Sequence, residues 1–298
     1  MVPAELIVPA ARAYRGSITE PHRWNSFRAR RGDVILATPS KSGTTWTQTM
    51  VAMLLHGSPE LPGRVTDLSP WLDANFASVE DTAAALERQP GRRVVKTHTP
   101  VDGFPLWEGV QVISVFRHPL EMYLSLRKHI VNMKDRQGGS GVASLAEGLE
   151  HFLNTPFDAQ DADEDTIMTV TRHFEASVLS GRLRTSLILN YAAMLRDHAG
   201  AIARLNDYLG TDRDDKTLEA IRQATAFSAM KANATQFAPQ GGQGFWHDDR
   251  AFFASGKSGG WRDAFDDGQL AAYSTRFAEL LPSEAHRQWI EDGTGWQP

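Results

Sequence analysis

The sequence has no cysteine among its 298 residues. A chain without thiols cannot form a disulfide framework, a thiolate zinc site or a cysteine nucleophile. It also lacks any uncharged apolar run near the roughly 18 residues that a membrane-spanning helix needs. Its first residues have neither the basic start nor the unbroken apolar stretch of a signal peptide. We therefore expect a soluble, cytoplasmic protein.

An excess of one charge is missing as well. The 31 Lys and Arg residues nearly balance the 36 Asp and Glu residues, which leaves a net charge of -5 at pH 7. General nucleic-acid binding needs a basic surface that replaces counterions, so no nucleic-acid partner is expected and any anion site must be local. The hydrophobic content of 41% is typical of a globular chain. We expect one domain over residues 1–298, although the length also allows two.

Four short apolar runs rich in Val, Ile and Leu predict strands, at residues 34–38, 92–98, 110–116 and 184–191. Helical patterns follow three of these runs, at residues 44–55, 119–133 and 192–210, and Gly210 closes the last one. Continuous apolar strands that alternate with helices are typical of a parallel sheet covered on both faces. The predicted fold class is α/β, with three layers in which helices flank a central parallel sheet.

The segment from residue 134 to 165 differs from the rest, because it joins a glycine-rich part, residues 135–141, to an acidic part, residues 158–165. A solvated surface insertion is the favoured interpretation. The alternative is a mobile cover over a pocket, since long loops on α/β scaffolds often act as lids.

The strongest motif is TPSKSGTTW, residues 38–46, where a predicted buried strand turns into a helix. Unpaired amides and the positive end of the helix favour a phosphate there, and Thr44 and Thr45 bring hydroxyls to the first turn. Lys41 adds a positive charge. The Walker pattern is not matched, because this lysine precedes Gly43. An ordinary strand-to-helix turn is the alternative.

The KSGTTW part of this motif resembles the phosphosulfate-binding loop of the sulfotransferases that use 3′-phosphoadenosine-5′-phosphosulfate (PAPS), with Ser40 in the usual proline position. The resemblance implies a P-loop-like sulfotransferase fold and PAPS as the donor co-substrate. It also implies that Trp46 stacks on adenine. The residues it assigns to the 5′-phosphate are Lys41, Ser42, Gly43, Thr44 and Thr45.

A second motif, VVKTHTP at residues 94–100, ends the next predicted strand, where parallel sheets open ligand crevices. Taken alone, His98 reads more readily as a structural histidine than as a base. Together with the first motif, it resembles the histidine that is the general base of the family. A histidine titrating near pH ~6.5 can be neutral and accept a proton from an acceptor group. Lys96 is expected to stabilise charge on the transferring group.

A third motif, VFRHPLEMYLSLRKH at residues 115–129, places Arg117 at the end of a strand and Ser125 two turns along the following helix. A guanidinium beside a helical hydroxyl suits a second phosphate. In the family, the matching residues bind the 3′-phosphate of the donor. A common helix start, with Ser125 facing solvent, is the alternative.

Weaker matches follow in family order. Tyr191 in ILNYAAM, and Thr225 and Phe227 in TAFSAMKAN, resemble residues that contact adenine, although the two aromatics read equally well as core. FFASGKSGGWRDAF resembles the C-terminal glycine motif, and it nominates Gly256 and Lys257 for donor binding. Many relatives have Arg-Lys where this chain has Ala and Ser at positions 254–255, which puts the strength of donor binding in question.

The resemblance predicts an enzyme that transfers a sulfuryl group from PAPS to a hydroxyl or amine of a small-molecule acceptor. His98, Lys41 and Lys96 are its candidate catalytic residues. No metal is expected, because the sequence shows no HExxH motif, no calcium loop and no suitable magnesium ligand. Two alternatives remain: a P-loop kinase or nucleoside triphosphatase, and a catalytically idle nucleotide-binding protein.

The acceptor is not specified by any motif. Residues before position 32 and the 134–165 segment are the expected acceptor side, and a homodimer is the family-based expectation. Eight aromatic residues could line an apolar acceptor pocket, and at least half of them are expected in the core: Trp24, Phe27, Trp71, Phe76, Phe104, Phe237, Phe245 and Trp246.

Overall fold

The computed structural model describes residues 2–134 and 143–298, so the predicted glycine-rich loop at residues 135–141 lies outside the described residues. The described residues form six strands: β1 (Leu6–Val8), β2 (Val34–Ala37), β3 (Val94–Thr97), β4 (Leu106–Trp107), β5 (Gln111–Phe116) and β6 (Leu187–Asn190). Four of them form a sheet in the order β3-β2-β5-β6, in which every neighbouring pair is parallel. The four predicted strands are confirmed, and each is shorter than its apolar run; β6 covers half of the predicted residues 184–191.

The described residues also form thirteen α-helices. They are α1 (Thr44–His56), α2 (Val65–Leu68), α3 (Val79–Arg88), α4 (Pro119–Asn132), α5 (Leu145–Asn154), α6 (Ile167–Phe174), α7 (Tyr191–Arg196), α8 (His198–Leu209), α9 (Asp215–Ala224), α10 (Phe227–Ala232), α11 (Ala234–Phe237), α12 (Asp267–Leu280) and α13 (Glu284–Asp292). No helix of the described ranges is long and apolar enough to cross a bilayer.

Apolar clusters cover both faces of the sheet. Successive side chains of a strand point to opposite faces, so one strand contributes side chains to both. Val34 and Leu36 of β2 pack with α1, α8 and α9 in one apolar cluster. Ile35 and Ala37 of the same strand pack on the other face with Trp24 and its aromatic neighbours. Helices α4, α5, α6, α12 and α13 form a further cluster around β5 and β6. The predicted three-layer α/β architecture is confirmed.

One helix prediction is wrong. The pattern at residues 192–210 forms two helices, because the backbone leaves the helical region at Asp197, with φ -135° and ψ 78°. The Asp197 carboxylate accepts a hydrogen bond from the amide of Gly200 and so caps α8, which is the role that short acidic side chains favour. Gly210 ends α8 in the left-handed conformation, as its position predicts.

The sheet topology brings all the main motifs to one edge. Residues 38–43 follow β2, His98 follows β3, Arg117 follows β5 and Tyr191 follows β6. Since the strands are parallel, these carboxyl ends lie side by side, where α/β sheets open a crevice for ligands.

Candidate active site

A cavity of about 1760 Å³ opens at this edge of the sheet. Its wall includes fourteen of the fifteen predicted site residues: Lys41, Gly43, Thr44, Thr45, Trp46, Lys96, His98, Arg117, Ser125, Tyr191, Thr225, Phe227, Gly256 and Lys257. Ser42 is fully buried behind the wall, where its hydroxyl donates to the carbonyl of Pro39 at 2.7 Å. Because the whole residue is buried, Ser42 presents neither its hydroxyl nor its amide to the cavity.

The loop between β2 and α1 needs glycine at its end. Gly43 has φ 111°, a left-handed conformation, and a Cβ there would lie 2.8 Å from the ring of Tyr191. Lys41 also has positive φ, 61°, which side chains rarely adopt. These two backbone conformations make the loop a tight turn whose residues Lys41 and Gly43 line the cavity.

The first turn of α1 carries unpaired amides. Gly43 is the N-cap residue, and it has no side chain that could accept hydrogen bonds from the first turn. The first amides of a helix have no intrahelical acceptors, so those after Gly43 stay unpaired. Thr44 pairs its hydroxyl with Thr38 at 2.7 Å, and Thr45 lines the cavity. Free amides and the positive end of the helix dipole together favour an anion at this point.

Lys41 meets a partner that the motif did not predict. Its Nζ donates to Nδ1 of His129 at 2.8 Å, and it lies 4.9 Å from the ring centre of Phe252. The pKa of Lys41 is lowered to about 7, mainly by burial. The charge of Asp165 partly opposes this shift, whereas the positive charges of Lys96 and Arg117 add to it. An anion beside Lys41 would restore its charge.

His98 is held in one tautomer. Its Nδ1–H donates to the backbone carbonyl of Thr38 at 2.8 Å, which leaves the lone pair on Nε2, 3.4 Å from Nζ of Lys96. Burial, followed by the charge of Lys96, lowers the pKa of His98 well below its usual value. Burial also lowers the pKa of Lys96 to about 8. The imidazole is therefore neutral at pH 7 and can accept a proton at Nε2.

Arg117 is fixed by three contacts. Its Nε donates to Glu121 at 3.0 Å, its guanidinium donates to the carbonyl of Lys41 at 3.2 Å, and it stacks 4.3 Å from the ring centre of Tyr191. Glu121 also accepts from the Ser258 hydroxyl at 2.9 Å and from the amide of Gly259. This buried carboxylate therefore joins the Arg117 site to the C-terminal glycine segment.

Replacing Glu121 with glutamine should weaken binding of adenosine 3′,5′-bisphosphate about 10-fold, because Arg117 and the glycine segment lose their shared anionic partner. Isothermal titration calorimetry measures the effect. Glu279→Gln removes an exposed carboxylate that pairs with Arg276 on α12, so it serves as the matched control. Equal affinity in both variants would show that Glu121 does not orient the site.

The residues assigned to adenine form one aromatic corner. Trp46 donates from Nε1 to the carbonyl of Thr225 at 2.9 Å and packs edge-on against Tyr191. The Thr225 hydroxyl is already engaged, since it donates to the carbonyl of Ile221 and pairs with His198. Thr225 therefore forms part of the cavity wall, but its hydroxyl is not free to bind a ligand.

The C-terminal glycine segment closes on the same corner. A Cβ at Gly256 would lie 2.3 Å from the ring of Phe227, so only glycine fits. Ala254 and Ser255 line the cavity without a charge, and Lys257 is exposed at its wall. Ser125 is half-buried on the same wall. Within this segment, Lys257 and Arg262 both line the cavity and supply positive charge there.

The eight candidate acceptor aromatics divide evenly. Four line the cavity: Trp71, Phe76, Phe245 and Trp246. Four are core residues: Trp24, Phe27, Phe104 and Phe237. The split agrees with the expectation that at least half lie in the core.

The acidic part of the 134–165 segment is only partly the solvated insertion that its charges predict, because Asp158 and Asp161 are exposed whereas Asp163 and Asp165 are half-buried. The Asp163 carboxylate accepts hydrogen bonds from the amides of Ile18 and Thr19 at 2.6 and 3.1 Å. It therefore ties this segment to the N-terminal residues, and Ser17, Ile18 and Asp165 all line the cavity. The half-buried position of Asp163 follows from these hydrogen bonds, which a count of charges along the chain does not reveal.

Three polar residues at the site escaped the sequence analysis. Glu121 lies four residues before Ser125, and His129 lies four residues after it. This helical spacing predicts that the three side chains share one face of α4. Asp165 comes near Lys41 only through the tertiary fold. Among residues 2–134 and 143–298, no group of three or more His, Asp or Glu side chains is arranged to hold a metal ion.

Comparisons with known proteins agree with this geometry. A family model described as "Sulfotransferase domain" matches residues 31–284. A glycolipid sulfotransferase of Mycobacterium bovis (strain BCG / Pasteur 1173P2) is 29% identical over 96% of this chain and 96% of its own. Sulfotransferase 2B1 of Rattus norvegicus is 23% identical over 91% of this chain and 78% of its own.

Solved structures show the same fold. The crystal structure of mouse sulfotransferase SULT7A1 complexed with PAP is similar with a TM-score of 0.69 and 20% identity, and the match covers 91% of this chain and 92% of that chain. The likeness confirms the predicted fold, a parallel sheet flanked by helices in the sulfotransferase arrangement.

Proposed function

This chain belongs to the sulfotransferase family, and from that premise we propose that it transfers a sulfuryl group from PAPS to a hydroxyl, or an amine, of a small-molecule acceptor. One observation carries the proposal: a neutral His98 and Lys41 line the same cavity, beside the start of α1, which has no side-chain cap. A proton acceptor and a cation next to an anion site are the groups that sulfuryl transfer requires.

In the proposed reaction, His98 Nε2 accepts the proton of the acceptor group. The acceptor oxygen or nitrogen forms a bond to sulfur, the bond between sulfur and the bridging oxygen breaks, and adenosine 3′,5′-bisphosphate leaves. By analogy with phosphoryl transfer, positioning and charge stabilisation do most of the work. Lys41 is the candidate to stabilise negative charge on the bridging oxygen, and Lys96 supports charge on the transferring group.

Donor binding is divided between two parts of the fold. The amides of residues 43–45, together with Lys41, hold the 5′-phosphate, and Arg117 and Ser125 hold the 3′-phosphate. Trp46, Tyr191, Thr225 and Phe227 enclose adenine, while Gly256 and Lys257 close the donor side. Support comes from the common cavity and from the contacts of Arg117 with both the loop and Tyr191.

The proposal also covers the class of acceptor, the domain organisation, the cellular location and the oligomeric state. The relative from Mycobacterium bovis carries the name glycolipid sulfotransferase, which favours a hydroxyl of a lipid-like acceptor for this chain. One domain over residues 1–298 is supported by apolar clusters on both faces of one sheet. The cytoplasmic location and the homodimer stay predictions.

Two measurements test the function. A transfer assay with labelled PAPS and a pool of phenols, alcohols and amines should give sulfated product. A binding titration should show a preference for adenosine 3′,5′-bisphosphate over ATP. Preference for ATP would favour a kinase or triphosphatase, and binding without transfer to any acceptor would favour an idle nucleotide-binding protein.

Bisphosphate binding should also take up protons. The anion favours the ammonium form of Lys41, so the pKa of Lys41 rises above its free-protein value of about 7 on binding. The contribution of Lys41 to affinity is therefore full below pH 7 and falls as the pH rises above 7. Calorimetry at pH 7.5 in two buffers of different ionisation enthalpy measures the uptake. Uptake that persists unchanged in Lys41→Ala would contradict the assignment.

A further inference from the structure

Asp165 is a cavity-lining carboxylate that the reaction above does not use. It directly precedes Thr166, the N-cap residue of α6, and its side chain faces the same cavity as Lys41. Burial raises the pKa of Asp165 to about 6. Its acidic neighbours are already engaged: Asp163 holds the N-terminal segment, and Glu164 pairs with His151. Among the described residues, no ion pair within 4 Å includes Asp165, and its side chain lines the cavity.

The position of Asp165 depends on a departure from the family loop. Ser40 stands where the family has proline, and its hydroxyl interacts with the Asp165 carboxylate. Proline has no side-chain donor and could not make this contact. The carboxylate therefore lies beside Ser40, the residue before Lys41, on the wall of the cavity where sulfuryl transfer is proposed.

The surroundings of this carboxylate are apolar and aromatic. Tyr123, Leu126 and Phe152 lie beside it on one side, and Trp246 and Phe252 lie around the Lys41–His129 pair. A sugar fits such walls, because its C–H faces pack on aromatic rings while its hydroxyls need hydrogen-bond acceptors. The cavity also holds Lys41, Lys96 and Arg117, whose positive charges disfavour a cationic acceptor group.

We propose that Asp165, oriented by Ser40, is an acceptor-specificity residue that binds a sugar hydroxyl of a glycosylated, apolar acceptor. The inference rests on the proposed sulfotransferase function. Asp165 accepts hydrogen bonds from one or two hydroxyls and so orients the sugar while another hydroxyl faces His98. A hydrogen bond to a charged group gives strong discrimination, because a partner that lacks the hydroxyl leaves the carboxylate desolvated and unpaired.

The test compares octyl glucoside with octanol, two acceptors that share a chain and differ in the sugar. The wild-type protein should have a higher kcat/KM for the glucoside. Asp165→Ala should lower the ratio of kcat/KM for glucoside over octanol by about 10- to 100-fold, mainly through KM for the glucoside. Ser40→Ala should lower the ratio in the same direction by about 3-fold, because it removes the contact that orients the carboxylate.

Glu164→Gln is the matched control, because it removes the neighbouring negative charge, which faces His151. It should leave the ratio within 2-fold of the wild type. A cooperative thermal transition near that of the wild type establishes that each variant is folded. An unchanged ratio in Asp165→Ala, or an equal fall in Glu164→Gln, would overturn the inference while transfer to octanol preserves the proposed function. Transfer to neither acceptor, nor to any in the pool, would remove both.

Discussion

Replacing His98 with alanine should lower kcat by about 10²- to 10⁴-fold, the usual contribution of a general base. In the proposed mechanism the neutral ring accepts the acceptor proton at Nε2, since Nδ1–H donates to the carbonyl of Thr38. Affinity for adenosine 3′,5′-bisphosphate should stay nearly unchanged, because the imidazole faces the acceptor rather than the phosphates. Steady-state transfer kinetics with saturating PAPS, together with calorimetric titration of the bisphosphate, measure both effects.

His22→Ala is the control for this substitution, because His22 is an exposed histidine that does not line the cavity. Its kcat should match that of the wild type. Full activity of His98→Ala with an alcohol acceptor would show that the base is another group. A parallel loss of bisphosphate affinity would show that His98 supports the loop after β2 instead.

Replacing Lys41 with alanine should raise the barrier by about 3 kcal/mol, which is roughly 150-fold in kcat. In the proposed mechanism the ammonium form of Lys41, beside the start of α1, stabilises the negative charge that develops on the leaving oxygen. Partial burial of the side chain weakens the screening of this charge by water. The same change should weaken bisphosphate binding, because the 5′-phosphate loses its ammonium partner. Single-turnover kinetics separate the chemical step from the binding loss.

Lys216→Ala on α9 removes an exposed lysine and should change neither quantity. Lys41→Met keeps the length and apolar stem of the side chain, so it isolates the charge. If Lys41→Met retained wild-type kcat, charge stabilisation by this residue would be excluded. A fall in affinity with an unchanged kcat would restrict Lys41 to donor binding.

The sequence predicts those parts of the site that depend on local chemistry. Each main motif lies directly after a strand, so a parallel sheet alone is enough to bring Lys41, His98 and Arg117 to one edge. The turn at Gly43 follows from local backbone geometry as well. The break between α7 and α8 was missed because a side-chain cap at Asp197 competes with helix propensity, and both outcomes suit the same residues.

Residues whose roles depend on distant partners were not predictable. The Asp165 carboxylate reaches the loop after β2 only when α6 packs against the sheet, and nothing in the acidic run sets it apart from Asp163. Ser42 fits the motif, yet its hydroxyl turns inward to Pro39 because the tight loop buries it. Such contacts depend on tertiary packing, which short motifs do not encode.

The most direct measurement is a crystal structure of the protein soaked with adenosine 3′,5′-bisphosphate. The account predicts the 5′-phosphate within hydrogen-bonding distance of the amides of residues 43–45, the 3′-phosphate at Arg117, and Nε2 of His98 open to the acceptor side. A nucleotide bound with its phosphates away from both sites, or Nε2 of His98 pointing far from the position that the transferring sulfur would occupy, would contradict it.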